Sequence, residues 1–193
     1  MEPSVVDPAA VLWSSKLEEL ENRPLLVLLH GVGANEGDLF SLSPALPLGP
    51  VIASLRAPLA YGLGWSWYDL GTPGDPRSEL VDAAALGVLA WLDALPVQPP
   101  AVALLGFSQG AAVTAQVLRH APGRFACTVQ LSGYVTPGEL PGDAELVRLR
   151  PPVFYGRGTE DGVIPAVAVA HTEEWLRAHT DVDARIYEGL PHA

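Results

Sequence analysis

Ser108 stands in Gly106-Phe107-Ser108-Gln109-Gly110, which reads G-x-S-x-G. A serine hydroxyl is a weak nucleophile until a neighbouring base removes its proton, so the motif matters only if its surroundings expose the hydroxyl and supply that base. The apolar run Ala101-Val102-Ala103-Leu104-Leu105 precedes it, after Pro99-Pro100, and a helix-compatible stretch from Ala111 to His120 follows. Strand, sharp turn and helix lift the serine above a sheet edge. Glycines two residues to either side remove the side chains that would collide there, and the small Ala111 and Ala112 let the helix lie close. The backbone N–H of Gln109, at the start of that helix, faces the position of an oxyanion formed on an attacked carbonyl. The plainer alternative is a strand-to-helix turn whose serine caps the helix.

A base and an acid must come from elsewhere, and in this context they follow the serine in the order acid, then histidine. His171, His179 and His192 all lie downstream. Only His192 sits in a loop after a strand, Gly189-Leu190-Pro191-His192, and such loops gather at the sheet edge that also carries the serine. His171 and His179 fall near the polar side of a helix and read as solvated. The acid belongs in Gly158-Thr159-Glu160-Asp161-Gly162, just past the strand Val153–Tyr155; Asp161 is the choice and Glu160 its competitor. Asp-Gly is also a common turn pair.

Two further stretches bear on the site. His30-Gly31-Val32-Gly33 follows the apolar run Leu25–Leu29, and the Val32 N–H is assigned as second oxyanion donor; His30 is given the lesser role of orienting the loop. The segment Arg56–Pro76 has little period and carries Trp65, Trp67 and Tyr68. Loops of this length are usually functional, so these aromatics either wall an acyl pocket or pin the loop to the core.

The elements that must hold these residues alternate. Strands are expected at Ala10–Ser15, Leu25–Leu29, Val51–Leu55, Ala101–Leu105, Phe125–Leu131, Pro152–Gly156 and Asp183–Tyr187. Helices are expected at Glu36–Leu42, at Ser78–Leu95 with Ser78 as cap, after Ser108, and at Pro165–Ala178; Pro137–Pro151 reads as a loop with a helical turn. The alternation predicts one α/β domain over residues 1–193, with a mainly parallel sheet and helices on both faces.

Taken together, the chain resembles the phospholipase/carboxylesterase group of α/β-hydrolases, which includes acyl-protein thioesterases. The matching stretches are Leu29-His30-Gly31-Val32-Gly33, Trp67-Tyr68-Asp69, the Ser108 pentad, Gly158-Thr159-Glu160-Asp161 with Val163-Ile164-Pro165, and His192. The resemblance implies a single α/β-hydrolase domain without a large lid. It implies a serine hydrolase acting on acyl esters or thioesters through Ser108, Asp161 and His192, with no metal and no organic cofactor. A thioester, an acylated protein or a lysophospholipid is the alternative substrate, and a non-catalytic scaffold the alternative class. The group usually has an acidic residue after its histidine and then a helix; here the residues are Pro191-His192-Ala193. The expectation is of further chain beyond Ala193, forming a helix of roughly 10–14 residues.

Composition narrows the partners. The chain has 193 residues, 11 basic and 22 acidic side chains and a formal charge of −11, which disfavours nucleic acid and anionic membranes. Cys127 is its single cysteine and is expected to be a buried core thiol. Met1–Pro8 shows no basic region leading into an apolar core, and Ala83–Leu92 is too short to span a bilayer. A cytoplasmic location is the default expectation, and a homodimer is compatible with the sequence.

Overall fold

Short β-rich runs form strands here because each can be covered on at least one face, while the longer periodic stretches form helices. The computed structural model describes residues 4–47, 49–71 and 77–193. In chain order these contain β1 (Leu12–Trp13), β2 (Leu25–Leu29), α1 (Gly37–Phe40), β3 (Val51–Leu55), β4 (Leu59–Tyr61), β5 (Gly64–Ser66) and α2 (Ser78–Asp93). They continue with β6 (Val102–Phe107), α3 (Gln109–His120), β7 (Cys127–Leu131), α4 (Asp143–Leu149), β8 (Pro152–Gly158), α5 (Ala166–His179) and β9 (Asp181–Tyr187).

Seven strands form one sheet in the order β1-β3-β2-β6-β7-β8-β9. Only β1 runs antiparallel, against β3; the other neighbours are parallel. Both faces of β2 are buried, as a continuous apolar run requires at the centre of a parallel sheet. Its alternate residues divide between two cores. Leu25, Val27 and Leu29 pack with Val81, Val88 and Trp91 of α2, Val113 and Val117 of α3, and Trp175 of α5. Leu26 and Leu28 face the smaller cluster with Leu39 of α1.

The expected helices on both faces are therefore unequal: among the described residues α2, α3 and α5 cover one face, and the four-residue α1 the other. Cys127 follows from this. It lies on the thinly covered face with Val129 and Leu131, and all three are half-buried, so the expectation of a core thiol is corrected. Ser78 is also corrected: it is the first residue of α2, Arg77 precedes it, and no side chain caps that end. The segment 56–76 holds a hairpin, β4 against β5, that its sequence did not announce; residues 72–76 of it lie outside the described residues. Among the described residues no helix is long and apolar enough to cross a membrane.

One buried charge ties the helical layer together. Arg119, at the end of α3, is 1% exposed. It bonds Asp143 of α4 in bidentate fashion, at 2.9 and 2.7 Å. It also donates to the carbonyls of Thr136 and Gly138 and lies over the Trp175 ring. Burial disfavours the charged Asp143 carboxylate, but the bonds from Arg119 and from Leu140 N–H outweigh it and hold its pKa below the ordinary carboxylate value. Arg119→Met should lower unfolding free energy by about 3–5 kcal/mol, because the carboxylate stays buried without its partner. Arg119→Met with Asp143→Leu should recover much of that loss in urea denaturation; equal losses in both variants would contradict it.

Candidate active site

Ser108 joins β6 to α3 with φ 53° and ψ −115°, a left-handed backbone that a non-glycine residue rarely adopts. The turn is held from below, where Ser108 N–H donates to Leu131 O at 2.8 Å. A Cβ on Gly110 would lie 2.0 Å from Leu29 O, and one on Gly106 would lie 2.4 Å from Gly110 O. No larger residue fits at either position without moving backbone. The Ser108 side chain makes no cap bond to α3, so the plain capping alternative fails.

Ser108, His192 and Asp161 stand in one hydrogen-bonded line. His192 Nε2 is 2.9 Å from Ser108 Oγ, and His192 Nδ1 is 2.8 Å from Asp161 Oδ2. A carboxylate only accepts, so Nδ1 carries the ring hydrogen and Nε2 is free to take the serine proton. The other Asp161 oxygen accepts from Val163 N–H at 2.9 Å and Ile164 N–H at 3.2 Å. Burial opposes ionisation of Asp161, yet the His192 bond and these two amides prevail and keep its pKa below the ordinary value. Glu160 is exposed, and its backbone N–H donates to Leu190 O. His179 stacks on Trp175, and neither it nor His171 bonds Ser108 or Asp161.

The His192 loop is fastened from several sides. Gly189 N–H donates to Thr159 Oγ1, Phe107 packs on the imidazole at 5.1 Å, and Ser132 Oγ donates to Ala193 O at 2.8 Å. Ser132 has φ 47° and was missed at the sequence level. Its signal is Ser132-Gly133 directly after a strand that neighbours the serine's own.

Val32 and Gln109 N–H, the expected oxyanion donors, bond no protein group among the described residues. His30 below them is fully buried. Ala57 N–H donates to its Nε2 at 3.2 Å, so Nδ1 carries the hydrogen and donates to Gly31 O at 2.7 Å. Burial is the main cause of a pKa below the usual histidine value of 6.5. The unfolded chain therefore takes up a proton that the folded chain refuses. Stability from this group is complete above about pH 6.5 and falls as pH drops below it. The melting temperature should decline from pH 7.5 to 5.5, and His30→Gln should flatten that slope. An unchanged slope in the variant would contradict the assignment.

The aromatic trio divides. Trp67 and Tyr68 are 1% and 2% exposed, which favours the pinning role over the acyl wall for both. Trp67 Nε1 donates to His30 O at 2.8 Å, and the Tyr68 hydroxyl meets that of Tyr134 at 2.7 Å. They pin the segment instead. Trp65 is half-buried beneath Arg56, which also pairs with Glu36. No three His, Cys, Asp or Glu side chains among the described residues group as a metal site.

The arrangement can activate a serine, stabilise the resulting imidazolium and receive an oxyanion. Comparison with known proteins gives the family. The model of the phospholipase/carboxylesterase family matches residues 16–193. The chain is 32% identical over 181 residues to esterase YpfH of Escherichia coli, covering 88% of this chain and 75% of that protein. It is 29% identical over 207 residues to acyl-protein thioesterase 1 of Kluyveromyces lactis, covering 95% and 90%. The carboxylesterase of Bacillus cereus superposes with a TM-score of 0.79 at 19% identity, over 95% of this chain and 86% of that one. That of Mesorhizobium loti gives 0.77 at 20%, over 100% and 92%.

Proposed function

The chain belongs to the phospholipase/carboxylesterase family, and from that premise we propose that it hydrolyses carboxylic acyl esters in two steps. Ser108 Oγ attacks the acyl carbonyl while His192 Nε2 takes its proton. The carbonyl oxygen becomes an oxyanion bound by Val32 and Gln109 N–H, each donor contributing about 3–4 kcal/mol to the transition state. The bond to the leaving group breaks, that group takes the proton from His192, and the acyl group remains on Ser108. A water then gives its proton to His192 and attacks the acyl carbon. The acid departs and Ser108 recovers its hydrogen. Asp161 holds the imidazole tautomer throughout and stays ionised.

The observation that carries this reading is the unbroken line from Asp161 through His192 to Ser108. A fluorophosphonate should label the folded protein once per chain, in the peptide containing Ser108. Absence of labelling, or labelling elsewhere, would overturn it and favour a non-catalytic scaffold. A thioester reading is favoured by the likeness to an acyl-protein thioesterase along most of its length. Oxygen esters and thioesters with matched acyl groups, compared by kcat/KM, decide between them. Short and medium acyl esters in solution are expected to be turned over without a lipid interface; negligible turnover in its absence would contradict an open site.

A further inference from the structure

The Gln109 side chain is fully engaged, and not with substrate. Its Oε1 accepts from Trp67 N–H at 2.8 Å, and its Nε2 donates to Ser66 Oγ and Tyr68 O, each at 2.9 Å. Ser66 has one hydroxyl hydrogen, and that goes to Tyr68 O at 2.6 Å. The carboxamide cannot be turned over, because Trp67 N–H only donates and the Tyr68 carbonyl only accepts. All four residues are at most 3% exposed.

The segment it grips also holds the opposite side of the site. Trp65 O accepts from Gly33 N–H at 2.8 Å, Trp65 N–H donates to Ala34 O at 2.9 Å, and Trp67 Nε1 bonds His30 O. Residues 65–68 therefore span from residue 109, which carries one oxyanion amide, to residues 30–34, which flank the other. An oxyanion needs both donors within a few tenths of an ångström of their bonding distance.

We propose that the Gln109 carboxamide is a positioning residue that sets the spacing of the Val32 and Gln109 amides through residues 65–68. This rests on the serine-hydrolase reading. It acts where charge develops, so it supports turnover and leaves substrate affinity alone.

The test compares the full chain with Gln109→Met, which keeps the side-chain length and removes all three bonds. For p-nitrophenyl acetate, kcat should fall about 10- to 100-fold, less than the loss of a whole oxyanion donor, with KM within about threefold. Affinity for a trifluoromethyl ketone, whose adduct on Ser108 carries an oxyanion, should fall by the same factor as kcat/KM. Fluorophosphonate should still label Ser108 completely. If the serine assignment itself were wrong, the unaltered protein would not be labelled, so the two failures are distinct. A kcat within about threefold of the unaltered protein, or a loss carried wholly by KM, overturns the proposal. Should Gln109→Met not fold, Ser66→Ala carries the test: it removes the bond from Gln109 Nε2 to Ser66 Oγ and that from Ser66 Oγ to Tyr68 O, and should lower kcat about 3- to 10-fold at constant KM. An unchanged kcat there overturns it.

Discussion

Ser108→Ala should lower kcat for a soluble short-chain ester by about a million-fold, with KM little changed. The variant keeps the Val32 and Gln109 N–H groups and the packing around the elbow, so substrate should still bind. It loses the oxygen that His192 Nε2 reaches, at 2.9 Å. A residual rate above the uncatalysed one is expected, since oxyanion donors alone retain about 10³–10⁴-fold. Thermal stability should be nearly unaltered, because alanine and serine bear the same strain at φ 53°. Turnover above about 1% of the unaltered protein's would remove Ser108 from the reaction.

The second large effect is expected from Asp161→Asn, at about 10⁴-fold in kcat. Its cause can be argued from the site itself. Val163 and Ile164 N–H both point at Oδ1, and they need an acceptor there. The new amide must keep its oxygen on that side, so its NH₂ faces His192 Nδ1. Nδ1 then becomes an acceptor, the ring hydrogen moves to Nε2, and Nε2 can no longer take the serine proton. Glu160→Gln is the control, with activity within about twofold, because that side chain is exposed. If the control were the more damaging change, the acid would be the neighbour.

Much of this was legible in the chain because steric and burial rules act locally. Leu25–Leu29 reads as a strand buried on both faces, and the glycines at 106 and 110 prefigure a helix crossing a strand at backbone contact. The hairpin Leu59–Ser66 was illegible because β4 is exposed along its length and has no alternation. It is held by backbone bonds to residues 33 and 34, which leave no mark on residue type. For Trp67 and Tyr68 the sequence left two roles open for a related reason: aromatic content does not tell a wall from a pin, and the partners at His30 O and Tyr134 favour the pin. Gln109 was legible for its backbone N–H, but its side chain was not. Where its side chain goes depends on a loop about 40 residues earlier, by the sequence separations of its bonds.

The strand order also bears on how the protein comes into being. Outward from β2, the strands β6, β7, β8 and β9 are laid down one beside the next in the order in which they are synthesised. Each of these strands has its inner neighbour already synthesised, so its pairing there needs no chain that comes later. The proposed triad arrives along the same line: Ser108 just after β6, Asp161 after β8, His192 after β9. Serine and histidine are 84 positions apart. A half-made chain can thus carry a formed elbow while lacking both acid and base, and its serine stays inert. On the proposed reading, reactivity comes only with the docking of β9, the last strand at the edge of the sheet.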